Sequence, residues 1–321
     1  MKNLWSRHWR RAAAALLLAG PLAAAPVAAQ SQATAACPPT VSGTGKSDTA
    51  GVARDRGLLW RLSRDGRTSY LYGTLHIGKP EWRRLGPQVT ASLRASDVLA
   101  LEVDPNDPAL LEALAELRHG AELPAALKER LKRAYERACV APESMAALHP
   151  VLQATSLTVL EARWLGMDPI YAMEQLLGAQ ARALGRRVVA LETAAQQRAA
   201  LVPDSDEESQ ALVEQNLKQL EDRSVRRVLA RLAAAWESGD LAALGDYEAW
   251  CECIANDSDR ALLHRLNDER NPLLADGIEA QHRQGRRVFA AVGALHMTGP
   301  KSLPRLLAAR GFKVERVPFP R

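Results

Sequence analysis

The sequence predicts an α/β fold: a mainly parallel sheet covered by helices, with an N-terminal β-hairpin and a large helical insertion. Three observations predict it. The stretch "LLWRLSRDGRTSYLYG" reads as two strands joined at Asp65-Gly66, a strong hairpin turn. The later runs "DVLALEVD", "RRVVALET", "RRVFAAVG" and "FKVERV" are continuously apolar rather than alternating, as in strands covered on both faces. Between Asp107 and Gly185, and again between Ala194 and Gly285, apolar residues recur at helical spacing with Pro and Gly as punctuation. Strands alternating with helices give an α/β architecture.

In chain order, residues 1–29 have a basic start, an Ala/Leu-rich core and a small-residue exit at Val27-Ala28-Ala29. That pattern predicts a secretory signal peptide cleaved after Ala29. Pro21 and Pro26 break the apolar run, which argues against a retained membrane anchor. Arg10-Arg11 hints at a twin-arginine signal in an unfavourable context, so the general secretory route is the default. The alternative is a lipid anchor at Cys37, at the end of "ATAAC"; that segment lacks a leucine and lies past the apolar core. The expected location is periplasmic or secreted.

Removing residues 1–29 takes away Lys2, Arg7, Arg10 and Arg11 and no acidic residue, so the formal charge falls from +5 to +1. The mature chain is then nearly neutral and poor in aromatics, which argues against a nucleic-acid partner. No integral membrane span is expected in it. Residues 30–56 are Ser/Thr/Ala/Gly-rich without periodicity and read as a flexible linker; the α/β domain is expected over 57–321.

Four cysteines, Cys37, Cys139, Cys251 and Cys253, form an even set in an exported chain and predict disulfides. One intervening residue makes a bridge from Cys251 to Cys253 strained, so each is expected to join Cys37 or Cys139. Zinc is the rival, without histidines at finger-like spacing.

The hairpin's second strand runs to Gly73 and hands His76 to the next segment, in "YGTLHIGKP"; "VGALHMTGP" repeats the device with Gly293 and His296. Gly73 and Gly293 let the chain turn sharply or approach another backbone. Glu102 and Glu192 end the "ALE" runs, so four polar residues sit at the carboxyl ends of apolar strands, where open α/β sheets carry their sites. Two histidines and a carboxylate hold a divalent metal with open positions or act as general base and orienting partner; spacing does not choose. The plainer reading makes each histidine a loop-carbonyl partner. It makes Glu192 a local brace beside Thr193 as a helix N-cap, and Asp104 a turn residue before Pro105. His119, His149, His264 and His282 read as solvated or capping and are given no role. In "LNDERNPLL", Arg270 and Asn271 sit before Pro272, which is expected to interrupt a helix and aim Arg270 inward as an anion or oxyanion holder.

Together "SYLYGTLHIGKP", "DVLALEVD", "GRRVVALET", "ERN" and "VFAAVGALHMTGPKSLPRLLAARGFKVERV" resemble the TraB/GumN family, related to Tiki-type proteases and more distantly to erythromycin esterases and ChaN-like haem-binding proteins. The resemblance implies a site on His76, Glu102 and His296, with metal-dependent peptidase activity as in the Tiki branch. The esterase relatives imply arginines in the site; Arg83, Arg84 and Arg270 are candidates. "GMDPIYAMEQLLGAQARALGRR" departs from the family pattern, and so do the cysteines. The expectation is a secreted hydrolase of peptide bonds with Mn, Co or Zn held by His76, Glu102 and His296, supported by Gly73, Gly293, Glu192 and Asn271. The alternatives are a metal-free esterase-like hydrolase with His76 as base oriented by Glu102, a periplasmic haem binder using a histidine as axial ligand with Met297 beside His296 and Tyr72 near the first corner, or a peptide-binding protein without catalysis.

Overall fold

The computed structural model describes residues 37–41, 53–115 and 122–319. The predicted signal peptide, His119 and most of the predicted linker lie outside them. Strand β1 (Leu58–Arg64) turns into β2 (Arg67–Thr74) through Asp65 and Gly66, at φ 51° and 70°. Both turn residues have positive φ, the condition for a tight two-residue hairpin, and Arg64 pairs with Arg67 across it.

Helix α1 (Pro87–Ala95) leads to β3 (Val98–Leu101). The chain then runs through α2 (Pro108–Ala115), α3 (Ala125–Ala138), α4 (Pro150–Leu160) and α5 (Met173–Ala183) to β4 (Arg187–Ala190). A second helical stretch comes next: α6 (Ala194–Leu201), α7 (Asp206–Glu221), α8 (Ser224–Ser238), α9 (Leu241–Gly245), α10 (Tyr247–Trp250), α11 (Asp257–Leu266) and α12 (Asn271–Arg283). It ends in β5 (Val288–Gly293), succeeded by α13 (Leu303–Ala309) and β6 (Lys313–Val317).

The six strands lie in the order β4-β3-β5-β2-β1-β6. Pairings β4/β3, β3/β5 and β5/β2 are parallel, and β1 is antiparallel to both neighbours. Central β3 and β5 are buried along almost their whole length, as their unbroken apolar sequence requires, whereas edge strand β4 is half exposed. The main core lies on both sheet faces. A separate core, with Leu131, Leu157, Val213 and Leu217, joins α3, α4 and α7 away from the sheet.

Three expectations are corrected. The disulfides are Cys37–Cys139 and Cys251–Cys253, not a link between the early and late pairs. The short bridge closes because Glu252 adopts φ 53° and brings the Cα atoms of Cys251 and Cys253 to 5.0 Å, inside the range a disulfide spans. Pro272 does not interrupt a helix; α11 has already ended at Leu266, and Pro272 occupies the first turn of α12, where its missing N–H has no helical partner to lose. His282 is neither solvated nor capping: it is fully buried, with its ring edge-on to Phe312 at 4.9 Å. His149 does cap α4, accepting from Val151 N.

Candidate functional site

The sheet order sets the polar strand ends in one row. Reading across β4, β3, β5 and β2, the residues just past each carboxyl end are Glu192, Glu102, His296 and His76. Glu102 therefore neighbours His296, and β5 stands between it and the strand that carries His76. Backbone pairing continues beyond the strands, with Leu191 N and Glu192 N donating to the carbonyls of Leu101 and Glu102 at 2.8 and 2.9 Å, which fixes the two glutamates side by side.

Arg270, at the N-cap of α12, clasps this row. Its Nη2 donates to Glu102 Oε2 and Glu192 Oε2, both at 2.5 Å, and to Gln197 Oε1 at 2.9 Å; Nε donates to Glu192 Oε1 at 2.9 Å. Nη1 donates to the Leu266 carbonyl at 3.0 Å and lies 3.4 Å from His296 Nε2. With its N–H groups committed to protein acceptors, the guanidinium is a brace rather than an open oxyanion holder. Gln197, on α6, was not singled out by sequence reading. It lies one turn past Thr193, which does cap α6 in a reciprocal box with Gln196.

The two glycines matter for space. Gly293 has φ −48°, which any residue adopts, but a Cβ there would lie 3.2 Å from Glu102 Oε1. Its bare backbone N–H donates to that oxygen at 2.7 Å. At Gly73 a Cβ would meet the Ala294 backbone at 3.3 Å, so this residue lets the two corners pack together.

His296 is 4% exposed. Asn271 Nδ2 donates to the Lys301 carbonyl at 3.0 Å, which turns Asn271 Oδ1 toward His296 Nδ1 at 2.7 Å. An acceptor there assigns the proton to Nδ1 and leaves Nε2 bare, facing Arg270 and lying 3.9 Å from Glu102 Oε1. Burial pushes the imidazole down, Glu102 only partly opposes it, and the ring titrates at about 4. Burial pushes Glu102 up, but His296 once protonated in acid, the Arg270 guanidinium, His76 and the Gly293 amide outweigh it and hold the carboxyl at about 2.

His76 differs. Its corner is clamped by Gly78, which exchanges backbone hydrogen bonds with Asp168 at 2.9 and 3.1 Å, and by Leu75, whose carbonyl accepts from Met173 N at 3.1 Å. That clamp brings the first turn of α5 to the corner, and Glu174 Oε1 lies 3.2 Å from His76 Nδ1. The Glu174 side chain is 12% exposed while that of His76 is 68% exposed. Among the described residues, neither Glu174 oxygen has a hydrogen-bond donor apart from this ion pair. The Glu174 charge raises the His76 imidazole toward about 9. Water around so exposed a ring screens the carboxylate, so the group titrates between 6.5 and that limit. Sequence reading missed Glu174 because the clamp that delivers it is a long-range backbone pairing with no local signature.

The expected metal donors are divided. Glu102 Oε2 and His296 Nε2 both face the Arg270 guanidinium, so a dication between them would stand against a fixed positive charge. These two atoms do not fit a metal as arranged. His76 and the donor-poor Glu174 carboxylate do fit one by chemical type. Among the candidate arginines, Arg83 lies over the Tyr171 ring at 5.6 Å, and Arg270 joins the cluster. Asp104 pairs with Arg182 at 2.6 Å. Met297 and Tyr72 are buried core residues, and the Tyr72 hydroxyl donates to the Arg56 carbonyl at 2.8 Å. A cavity of about 970 Å³ opens elsewhere, between Arg54–Arg56 and Glu237–Leu241, with Arg56 and Glu237 paired across it; no residue of the row lines it.

Comparison with curated proteins and with solved structures returns no match. The profile of the TraB/PrgY/gumN family matches residues 58–316, from the first residue of β1 to within β6. That span covers most of the chain and all four strand ends that form the row, and on it the chain belongs to the TraB/PrgY/gumN family.

Proposed function

We propose that the protein is an exported hydrolase of peptide bonds in which His76 is the general base. The observation that carries this is the pairing of a solvent-exposed imidazole with a buried carboxylate: Glu174 holds Nδ1 at 3.2 Å, which leaves Nε2 free toward solvent. That is the orienter-and-base arrangement general-base catalysis needs. Its orienter is Glu174 rather than the Glu102 of the metal-free expectation. In the proposed step a water gives its proton to His76 Nε2 as its oxygen adds to the scissile carbonyl carbon. The C–N bond then breaks, and His76 returns the proton to the leaving amine. The neighbouring row is within electrostatic reach of this dyad, since the charges of Glu102 and Arg270 both act on the His76 ring. Export is supported by the signal-like N-terminus and by two disulfides, which persist in oxidising compartments. A Cys37 sulfur joined to Cys139 is not free to carry a lipid.

A second reading, metal-assisted hydrolysis, is favoured by the Glu174 oxygens that lack a donor. His76 and Glu174 would hold the ion, whose chemistry is to lower the pKa of a bound water.

The test is a mixed-peptide library incubated with mature protein purified without affinity metal, with elemental analysis of the same sample. Chelator-indifferent cleavage that falls on the order of 10²- to 10⁴-fold in His76→Ala is expected. Cleavage lost with chelator and restored by Mn²⁺, Co²⁺ or Zn²⁺ moves the case to the second reading. Full cleavage in His76→Ala removes both.

A further inference from the structure

A cavity of about 120 Å³, on the scale of one amino-acid side chain, lies beside the row. Two of the segments that build it carry the buried half of the cluster, and the stretch 244–248 adds a further part of the wall. Leu295 and Thr298 flank His296, while Asn267 and Asp268 lead into Arg270. The Asp268 charge acts directly on the His296 ring. Leu244, Leu263 and Leu295 supply apolar wall, and Tyr247 adds an aromatic face.

The two fixed charges on this cavity are both negative. Glu248 and Asp268 both line it, with His264 between them, its Nδ1 2.9 Å from Asp268 and its Nε2 3.9 Å from Glu248. Among the described residues, the fixed cation paired with Glu248 is Arg260, 3.6 Å from its outer oxygen and outside the cavity lining. Two carboxylates facing one uncharged or singly charged imidazole leave the lining net negative.

We infer that this cavity is a specificity subsite for a basic side chain, lysine or arginine, of the peptide substrate. An aliphatic stem would cover the leucines, and its cationic end would reach Glu248 and Asp268 with Tyr247 alongside. A glutamate side chain would meet like charge, and a short side chain would leave the apolar wall wet. The inference rests on the peptide-hydrolase reading, and its test separates the two.

Peptides identical except for one residue, lysine, norleucine or glutamate, are offered to wild type and to Glu248→Lys, with both turnover and calorimetric binding measured. The expected result is a preference for lysine over glutamate of tenfold or more in kcat/KM, reversed in Glu248→Lys. Norleucine should fall between them, since it keeps the stem without the charge. Turnover without any charge preference, or a Glu248→Lys effect equal on all three peptides, overturns the subsite and leaves the hydrolase standing. A charge preference in binding that Glu248→Lys reverses, with no turnover of any peptide, supports the subsite and overturns the hydrolase. No binding and no turnover overturns both.

Discussion

Protonation of His76 is governed by a carboxylate that has no other donor among the described residues, so the two form a unit whose pH behaviour is testable. Glu174 stabilises the imidazolium and raises its pKa from 6.5 toward about 9, and exposure keeps it below that limit. A general base works only when deprotonated, so kcat/KM is expected to rise with pH and level off once this group has titrated. Glu174→Gln removes the charge and keeps the shape. The rising limb should then move to lower pH, toward the ordinary histidine value, while the plateau drops about 10- to 100-fold as the ring loses its orientation. A pH profile together with an NMR titration of the His76 ring checks both parts. An unmoved limb would sink the dyad. His296 cannot take over this role near neutrality, because its bare nitrogen faces a guanidinium and titrates at about 4.

At the level of elements, the cysteine pairing divides the disulfides into one that restrains the chain widely and one that does not. Cys37–Cys139 spans 102 residues and Cys251–Cys253 spans 2. In the chain-entropy account the long closure is worth about 4 to 5 kcal/mol and the short one about 1 to 2. Chemical denaturation of Cys37→Ser/Cys139→Ser and Cys251→Ser/Cys253→Ser should reproduce that order; equal losses would contradict it. The elements also divide by how well the sequence announces them. The hairpin was legible because Asp65-Gly66 fixes a local turn, and β3 and β5 because burial on both faces demands unbroken apolar runs. The Cys251–Cys253 bridge was not, because it depends on a left-handed Glu252 that residue type does not signal. Pro272 was read as a break although the same residue suits a helix start; only the end of α11 at Leu266 decides between them.

Across the whole molecule, the sheet order turns four separated strand ends into one row. The identical letters Gly-x-Leu-His hide two different corners: past Gly73 the strand ends at Thr74 and the chain bends at His76, leaving that histidine exposed, while the chain past Gly293 winds into a short helical turn and buries its own. The row was legible as a set of strand-end residues; its clasp was not, since the Arg270 contacts join residues 78 and 168 positions away. That clasp gives the last prediction. Glu102 and Glu192 are 6% and 4% exposed, and Arg270 is the cation that both contact. Arg270→Ala strands two buried carboxylates, and breaking such a pairing costs about 3 to 5 kcal/mol at neutral pH. The pH dependence has a definite sign. In the wild type the Glu102 carboxyl is held at about 2, below its unfolded value, so its contribution is present at neutral pH and is lost as pH falls toward that figure. In Arg270→Ala, burial without the guanidinium pushes the Glu102 carboxyl up, so it takes its proton before the unfolded chain does, and acidification relieves the variant while it weakens the wild type. The stability gap between the two, measured by denaturant titration at several pH values, should therefore be widest near neutrality and shrink as pH is lowered through about 5 toward about 3, the carboxylate range. A gap independent of pH would mean that the guanidinium holds the row by shape alone, and the charge-clasp account would fall with it.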